Sequence, residues 1–269
     1  MPELPEVETI RRILAVKIIG KQVEGVELYL GKALRNASPE ELARGLVGKV
    51  FTGVKRRGKF LILELGGAKL VFHLRMTGQL IVVKRGAPPP KHLALKLLLS
   101  GDEELWLVDQ RKFATIDWLP RGGHFPRGLG VEPLSNEFTG QKLSEICQGR
   151  GCAIKALLLG QQHIAGLGNI YADESLFRAG IRPDRPAGSL SDAEIRRLHR
   201  AIRAVLRESL TAGGTSVRNY VNAEGRQGAF QHELKAYGRG GEPCVRCGTP
   251  LERIKIGGRS SCFCPRCQS

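Results

Sequence analysis

The N-terminal stretch Pro2 to Glu8 contains the residues with the most reactive chemistry in this chain. Once an initiator methionine is removed, Pro2 carries a secondary α-amine, and α-amino groups titrate near ~8, so a useful fraction is nucleophilic at neutral pH. Such an amine adds to an aldehyde carbon to give an iminium, which is an electron sink. The adjacent Glu3 can carry protons, so the pair can combine covalent with acid–base catalysis. The alternative is that both are ordinary leader residues, and the rest of the chain must decide.

The last 26 residues contain five of the seven cysteines, and four of these form two Cys-x-x-Cys pairs. Sixteen residues separate the pairs, a spacing expected for two zinc knuckles joined by a β-hairpin. Four thiolates leave no open position for water, so we predict one structural Zn²⁺. Cys262 could compete as a ligand, although the second Cys-x-x-Cys register disfavours it, and Cys147 and Cys152 are predicted to be ordinary buried thiols. The predicted ligands are Cys244, Cys247, Cys264 and Cys267.

The composition indicates an intracellular protein with a polyanionic partner. The chain has 269 residues, with 42 Lys and Arg against 26 Asp and Glu, a formal net charge of +16 and a pI near 9.9. This length suits about two domains. We find no run of ~18 apolar residues and no secretory leader, so we expect a cytoplasmic protein without a membrane anchor. The excess of cations favours nucleic acid as the partner over a plain basic surface.

The elements that must position these residues follow from periodicity. A helix over about 5–17 should anchor the N terminus, because Pro5 suits a first helical turn and Val7, Ile10 and Leu14 share one face. Ser38 should cap a short helix that ends at about 46. The spacing of the strand-like runs favours an antiparallel sandwich or barrel. Predicted strands cover 22–30, 50–55, 60–65, 69–74, 79–83, 92–99 and 104–108.

The second half of the chain is predicted to be helical after a Gly- and Pro-rich hinge near 121–135. Residues 211–237 are Gly-rich and polar, and such a long irregular segment is often functional and mobile. The turn Ala165 to Asn169 leads into a helix whose first backbone N–H groups suit a phosphate. Predicted helices cover 142–147, 154–159, 169–179 and 192–210.

Three further clusters are basic or aromatic: Lys55 to Lys59, His73 to Gly78, and Asp109 to Phe113. Each alone is compatible with a solvated turn. Together with the N-terminal Pro-Glu-Leu-Pro-Glu-Val-Glu, the Gly-Asn-Ile-Tyr turn at 168–171 and the cysteine pairs, they occur in an order that resembles the bacterial formamidopyrimidine-DNA glycosylase (MutM-type) family. Leu4 resembles this branch more than the endonuclease VIII branch, which usually begins Pro-Glu-Gly-Pro-Glu.

The resemblance covers essentially the whole chain and implies a multidomain α+β fold. This fold has an N-terminal β-sandwich with an anchoring helix, a helix-two-turns-helix domain and a C-terminal zinc-finger β-hairpin. We expect the sandwich at 1–125, a hinge at 126–135, the helical domain at 136–235 and the zinc finger at 236–269. The implied partner is double-stranded DNA that contains oxidised purines or abasic sites, bound by a monomer.

The resemblance also implies a bifunctional base-excision repair enzyme. It would flip 8-oxoguanine or a formamidopyrimidine out of the duplex, remove the base through a Schiff base on Pro2, and cleave the strand by β,δ-elimination. Glu3 would transfer protons, Lys59 would assist the first elimination and Arg259 the second. Lys59 is also the rival nucleophile, although an exposed lysine is almost fully protonated at pH 7.

By the same resemblance, several residues should contact DNA. Met76, Arg111 and Phe113 would fill the gap left by the flipped base. Lesion recognition is expected near 216–224, with Glu6, Arg218 and Tyr220 as candidates. The other expected DNA contacts are His92, Arg150, Gly151, Lys155 and Asn169.

The chain departs from the family pattern at three places. Gln110 replaces the common Val or Pro, and Gly151 stands where a basic residue is frequent, with Arg150 as its substitute. Residues 260–262 also differ from the usual residues after the hairpin arginine. Two alternatives stay open: a non-catalytic DNA-binding module, which would not need Pro2 and Glu3, and an endonuclease VIII-like enzyme acting on oxidised pyrimidines.

Overall fold

The structure is a computed structural model that describes residues 2–123, 125, 128–217 and 219–269. The chain divides into two compact units, Met1–Arg127 with Ala212–Ala229, and Gly128–Thr211 with Phe230–Ser269. The boundaries expected at 125, 135 and 235 stay a prediction. Among the described residues, no helix is long and apolar enough to cross a membrane.

The first unit is an antiparallel β-sandwich, which decides between the two predicted architectures. One sheet has the strand order β1-β6-β7-β5 and the other β2-β3-β4-β8. The helix α1 packs its buried face, including Ile10 and Leu14, into the core that both sheets share. The elements are α1 (Leu4–Lys17), β1 (Val23–Leu28), α2 (Pro39–Leu46), β2 (Gly53–Arg57), β3 (Phe60–Leu65), β4 (Ala68–His73), β5 (Gly78–Lys84), β6 (Leu93–Leu99), β7 (Glu103–Asp109) and β8 (Thr115–Leu119).

Alternation along the strands explains this core. Leu61, Leu63 and Leu65 of β3 are fully buried, as expected for residues two apart on one face of a sheet. Each buried leucine contributes roughly 1.5–3 kcal/mol relative to exposure, so the sandwich is stabilised mainly by apolar burial.

Two strand predictions were incomplete. The strand β8 was missed because Asp117 interrupts its apolar run, and acidic residues are depleted in strands. Arg35 compensates the buried Asp117, since its Nε donates to Asp117 Oδ1 at 2.9 Å. The strand predicted at 50–55 begins only at Gly53, because Val50 forms an isolated bridge to Gln22 and is exposed.

The second unit is helical and ends in a two-stranded hairpin, as predicted. Ser191 and Glu194 form a capping box at the start of the longest helix, where the Ser191 N–H donates to Glu194 Oε2 at 2.8 Å. The prediction for Cys152 was wrong: it lies in an exposed loop, whereas Cys147 is buried. The elements are α3 (Gly140–Cys147), α4 (Ile154–Leu159), α5 (Asn169–Ala179), α6 (Asp192–Thr211), β9 (Glu252–Ile256) and β10 (Arg259–Phe263).

Residues 212–229, called segment 212–229 below, belong to the first unit. Their described part contains no helix or strand, in agreement with the predicted irregular stretch. The segment is nevertheless anchored, because the Val82 N–H donates to the Ala223 carbonyl at 2.9 Å and Tyr220 and Ala223 join the sandwich core.

Candidate active site and nucleic-acid interface

The N-terminal dipeptide is fixed at the start of α1. Glu3 is the N-cap residue with an extended backbone, and Pro5 occupies the first turn. The Glu3 N–H donates to Glu6 Oε2 at 2.8 Å, the return half of a capping box. Pro2 and Glu3 are both buried, so the predicted nucleophile and proton carrier have a fixed backbone.

Glu6 links this dipeptide to segment 212–229. The carboxylate is buried, and its second oxygen, Oε1, accepts from the Thr215 N–H at 2.7 Å. The Glu6 side chain therefore holds the backbone at both Glu3 and Thr215. A direct role of Glu6 in reading the lesion stays a prediction.

Lys59 lies in the two-residue turn between β2 and β3, after Gly58, whose φ of 55° is unfavourable for other residues. The turn is held against α1 by Arg56, which donates to Glu8 Oε2 at 3.1 Å and to the Gly58 carbonyl at 2.9 Å. Lys59 is only 6% exposed. Lys59 is therefore not the solvated lysine assumed from the sequence, and it stays the rival of Pro2 as the nucleophile.

His73 at the end of β4 supports the turn that carries Met76. Its Nδ1 accepts from the Arg75 N–H at 3.1 Å, and Arg75 has a φ of 54°. Burial lowers the pKa of His73 to about 3, and the charges of Arg75 and Lys59 act in the same direction. His73 is therefore neutral at pH 7 and available as this acceptor.

Met76, Arg111 and Phe113, predicted to act together, do lie together. Arg111 Nη1 is 2.9 Å from Met76 Sδ, and the guanidinium lies 5.0 Å from the centroid of the Phe113 ring. Met76 is 41% and Phe113 50% exposed, which is unusual for such apolar side chains. The cluster therefore presents two apolar surfaces and one cation to solvent.

The buried carboxylate of Asp109 accepts hydrogen bonds from the backbone and side chains next to this cluster. The carboxylate is 1% exposed and accepts from the Thr77 hydroxyl at 2.5 Å and from the Phe113 and Ala114 N–H groups at 2.7 Å each. These bonds allow Lys112 its positive φ of 58°.

His92 lies half-buried at the start of β6, in a cavity of about 400 Å³. Lys91, Lys112 and Asp109 also line this cavity, so cations outnumber carboxylates there. This setting suits the predicted contact of His92 with a DNA phosphate, which stays a prediction.

Arg150 and Gly151 are exposed in the loop after α3. Arg150 Nε donates to the Ile146 carbonyl at 2.8 Å, which holds the side chain along the end of that helix. A Cβ at Gly151 would meet no atom within 4 Å, so a basic side chain would fit there sterically. Packing therefore does not require a glycine at position 151.

Lys155 differs from the expected surface cation, since its side chain is fully buried. Its ammonium pairs with Asp173 Oδ1 at 2.7 Å and donates to the Ser260 carbonyl at 2.9 Å. Asn169 Nδ2 donates to the same carbonyl at 2.9 Å. A phosphate contact by Lys155 stays a prediction and would require the ammonium to leave this pair, so its structural role here is to fix Asn169 and β10.

Asp173 completes this buried network. It accepts from the Ser261 hydroxyl at 2.7 Å and from the Cys262 N–H at 3.3 Å. Burial raises the pKa of Asp173 to about 6, although the Lys155 ammonium opposes the shift. The network ties α4 and α5 to the strand that begins with Arg259.

The four predicted zinc ligands converge. Their sulfur atoms all lie within 4.8 Å of one another, and Cys247 Sγ is 3.5 Å from Cys264 Sγ. A tetrahedral zinc with Zn–S bonds of about 2.3 Å needs such separations, so the residues fit the ion. Cys262 lies outside the cluster, as predicted.

The ligand thiols differ in proton affinity. Hydrogen bonds from the Thr249 side chain and backbone lower the pKa of Cys247 to about 6. The hydrogen bond between Cys267 and Cys247 raises the pKa of the Cys267 thiol to about 12. Metal binding must expel the protons that remain.

The hairpin that this site supports ends in Gly257 and Gly258, both with positive φ. Arg259 follows them and is exposed, as predicted for a cation that reaches a partner. Its role in elimination stays a prediction.

Of the candidates for lesion recognition, Arg218 lies outside the described residues. Tyr220 is 7% exposed, and its hydroxyl donates to the Gly213 carbonyl at 3.2 Å. Burial raises the pKa of Tyr220. The ring is therefore a core residue, and base contact by it stays a prediction.

Sequence reasoning missed the carboxylates that hold these sites together, Asp109 and Asp173. Asp173 had a usable signal, because it falls on an otherwise apolar face of α5. A buried carboxylate needs a partner, and Lys155 was available.

Three sequence-family models match the chain in order. They are the formamidopyrimidine-DNA glycosylase N-terminal domain at residues 1–116, the H2TH domain of the same enzymes at 129–221, and the zinc finger found in FPG and IleRS at 241–269. The formamidopyrimidine-DNA glycosylase of Carboxydothermus hydrogenoformans is 48% identical over 269 residues, which cover all of both chains. The chain belongs to the formamidopyrimidine-DNA glycosylase family.

Solved structures agree. A Lactococcus lactis FPG mutant in complex with Fapy-dG-containing DNA has a TM-score of 0.93 and 38% identity, with full coverage of both chains. A MutM structure with carbocyclic 8-oxo-G-containing DNA has a TM-score of 0.92 at the same identity and coverage. The predicted family and its three parts, a sandwich, a helix-two-turns-helix domain and a zinc finger with one structural zinc site, are thereby confirmed.

Proposed function

We propose that this chain is a bifunctional DNA glycosylase and AP lyase that removes oxidised purines from duplex DNA. The observation that carries the proposal is the buried Pro2–Glu3 pair, which the Glu6 carboxylate fixes at the start of α1. A DNA-binding module has no need for such a pair. The solved relatives bound to Fapy-dG and 8-oxo-G DNA support the choice of substrate.

In the proposed reaction, the amine of processed Pro2 attacks C1′ of the flipped nucleotide. A C1′–N bond forms, the glycosidic bond breaks, and the base leaves with a proton. Glu3 then protonates the ring oxygen O4′ as the sugar opens, which leaves a cationic iminium between Pro2 and C1′.

The iminium makes strand cleavage possible because it acidifies the protons at C2′. Loss of one such proton forms a C2′–C3′ double bond and expels the 3′ phosphate by β-elimination. The conjugated iminium then acidifies the C4′ proton, whose loss expels the 5′ phosphate by δ-elimination. Lys59 in the β2–β3 turn would stabilise the first leaving phosphate and Arg259 at the hairpin the second.

The remaining candidates would bind the duplex. Met76 and Phe113 would enter the space vacated by the base while Arg111 contacts the bases that stay behind. Phosphate contacts would come from His92, Arg150, Gly151, Lys155 and the Asn169 end of α5. When bound, zinc supplies a cross-link that holds the hairpin folded, and it takes no part in the chemistry.

Because the proposed substrate is duplex DNA, we expect the enzyme to act where chromosomal DNA is found. The relatives named above are bacterial, so we propose that the protein acts as a monomer in the bacterial cytoplasm, at the nucleoid. We further propose domain boundaries at 1–125, 126–135, 136–235 and 236–269.

Strand nicking of two duplexes tests the proposal. One carries 8-oxoguanine opposite cytosine and the other an oxidised pyrimidine such as thymine glycol. We expect faster excision of 8-oxoguanine, with products that lack the sugar at the nick. Faster excision of thymine glycol would instead indicate the endonuclease VIII-like activity, and binding without nicking would indicate a non-catalytic module.

A further inference from the structure

Two glutamines at one end of the β1-β6-β7-β5 sheet hold the tip of segment 212–229. Gln79 of β5 donates from Nε2 to the Asn219 carbonyl at 2.6 Å. Gln110, directly after β7, accepts from Asn219 Nδ2 at 3.0 Å. Both bonds are solvent-exposed, so each makes a modest contribution of roughly 0.5–1.5 kcal/mol.

The other end of the same stretch is bound next to the predicted nucleophile. The Thr215 N–H and the Glu3 N–H bind the two oxygens of the Glu6 carboxylate. Between these ends, the Ser216 hydroxyl donates to the Tyr220 carbonyl at 2.9 Å. Thr215 is therefore held through Glu6 next to Glu3, and Asn219 is held by Gln110, the neighbour of Arg111.

This placement decides what the stretch can contact. A base attached to the C1′ atom that Pro2 attacks lies one bond from that carbon, so it must lie near the backbone held by Glu6. A sugar that has already lost its base reaches Pro2 without meeting this stretch. Excision and strand cleavage should therefore depend on residues 215–219 to different degrees.

We propose that Gln110 is a positioning residue for base excision, because its bond to Asn219 and the bond of Glu6 to Thr215 hold the two ends of the backbone that receives the flipped base. This inference rests on the proposed glycosylase function. A valine at this position cannot accept the Asn219 hydrogen bond, so the substitution Gln110→Val removes this bond.

The variant Gln110→Val tests the proposal under single-turnover conditions with saturating enzyme. We expect the rate of 8-oxoguanine excision to fall about threefold to tenfold, the rate equivalent of one neutral hydrogen bond. Cleavage of a duplex with a preformed abasic site should stay within about twofold of wild type. Gln162→Val, which removes an exposed glutamine whose amide contacts His163, is the matched control and should change neither rate.

A double-mutant cycle with Asn219→Ala identifies the bond itself. If the Gln110–Asn219 pair is responsible, the double variant should excise 8-oxoguanine no more slowly than the slower single variant. Additive losses would overturn the proposal, as would an equal loss of excision and abasic-site cleavage or no loss at all. Wild-type enzyme inactive on both duplexes would instead overturn the proposed function on which the inference rests.

Discussion

The two cation-bearing hairpins of this protein share a local sequence pattern and differ in what surrounds them. In both, glycine with positive φ closes a tight turn and a cation follows directly: Lys59 after Gly58, and Arg259 after Gly258. Lys59 is 6% exposed, whereas Arg259 is exposed. The local pattern thus predicts the turn and the charge but not the solvation of the charge.

The difference comes from the support behind each hairpin. The β2–β3 hairpin is part of a four-stranded sheet over a large apolar core. The β9–β10 hairpin is a two-stranded sheet that buries Ile256 and Phe263, and a small cluster of Phe177, Ala236 and Leu251 packs with the cysteines. Apolar burial dominates in the first hairpin, while zinc and a buried ion pair add to it in the second.

Loss of the metal should have the largest effect. Replacing Cys247 by Ser should abolish zinc binding and unfold the finger, because zinc binding in such modules contributes about 10–16 kcal/mol of folding free energy. DNA affinity should fall with it, while the sandwich stays folded. Cys262→Ser is the control and should keep one zinc per chain, and metal analysis with a DNA titration checks both. Normal zinc content and DNA affinity in Cys247→Ser would refute the site.

Disruption of the buried Lys155–Asp173 ion pair should have the second-largest effect. In Asp173→Ala, the Lys155 ammonium would stay buried without its counter-ion, which costs about 3–5 kcal/mol. Asp184→Ala breaks an exposed pair with Arg182 and should cost at most about 1 kcal/mol. Chemical denaturation measures both values. Equal costs for the two variants would mean that charge burial does not hold the hairpin in place.

Removing each hairpin cation separates the two proposed elimination steps. Lys59→Met should slow β-elimination roughly tenfold to hundredfold, since a charge-assisted hydrogen bond contributes about 1.5–3 kcal/mol. Arg259→Ala should instead accumulate the product of β-elimination alone, with no change in thermal stability. Gel analysis resolves these products. Identical product patterns in the two variants would contradict the assignment of separate roles.

Acidification should affect the sandwich by a smaller amount, through His73. Its folded pKa of about 3 lies below the ~6.5 of an unfolded histidine, so the unfolded state takes up the proton first as pH falls. The stability that depends on neutral His73 is therefore present above pH 6.5 and lost progressively down to pH 3.

We expect a loss of about 1 kcal/mol from this residue between pH 6.5 and 5.5. His73→Asn, which keeps an acceptor for the Arg75 N–H, should remove that loss, whereas the exposed His232→Asn should not. Urea unfolding at the two pH values provides the measurement. A pH dependence in His73→Asn as steep as in wild type would assign the acid sensitivity to other groups.

Much of the fold could be predicted from the sequence because its signals are local. Local residue types and spacing identify the helix caps at Ser38 and Ser191 and the cysteine pairs. The helices at 154–159 and 169–179 begin and end where periodicity predicted. The strand β8 and the burial of Lys59 depend on partners distant in the chain, such as Arg35 for Asp117. The same holds for Lys155, whose burial depends on Asp173.

The candidate site divides in the same way. Pro2, Glu3 and the cysteines could be identified from residue type and spacing. The hydrogen bonds that support the N-terminal site join residues more than 100 positions apart. They are the bonds of Glu6 with Thr215 and of Gln110 with Asn219. No periodic pattern marks such contacts, because each consists of one hydrogen bond between segments that only the folded chain brings together.

Borohydride trapping tests the central claim most directly. Incubation with a duplex that carries 8-oxoguanine opposite cytosine, followed by reduction, should give a stable protein–DNA adduct that maps by peptide sequencing to Pro2. Lys59 is the internal competitor, because it is also a buried amine. Retaining Met1 or acetylating the N terminus should abolish trapping while DNA affinity changes little, since one charge is a small part of many phosphate contacts. An adduct on Lys59, or full trapping with Met1 retained, would contradict the assignment of Pro2 as the nucleophile.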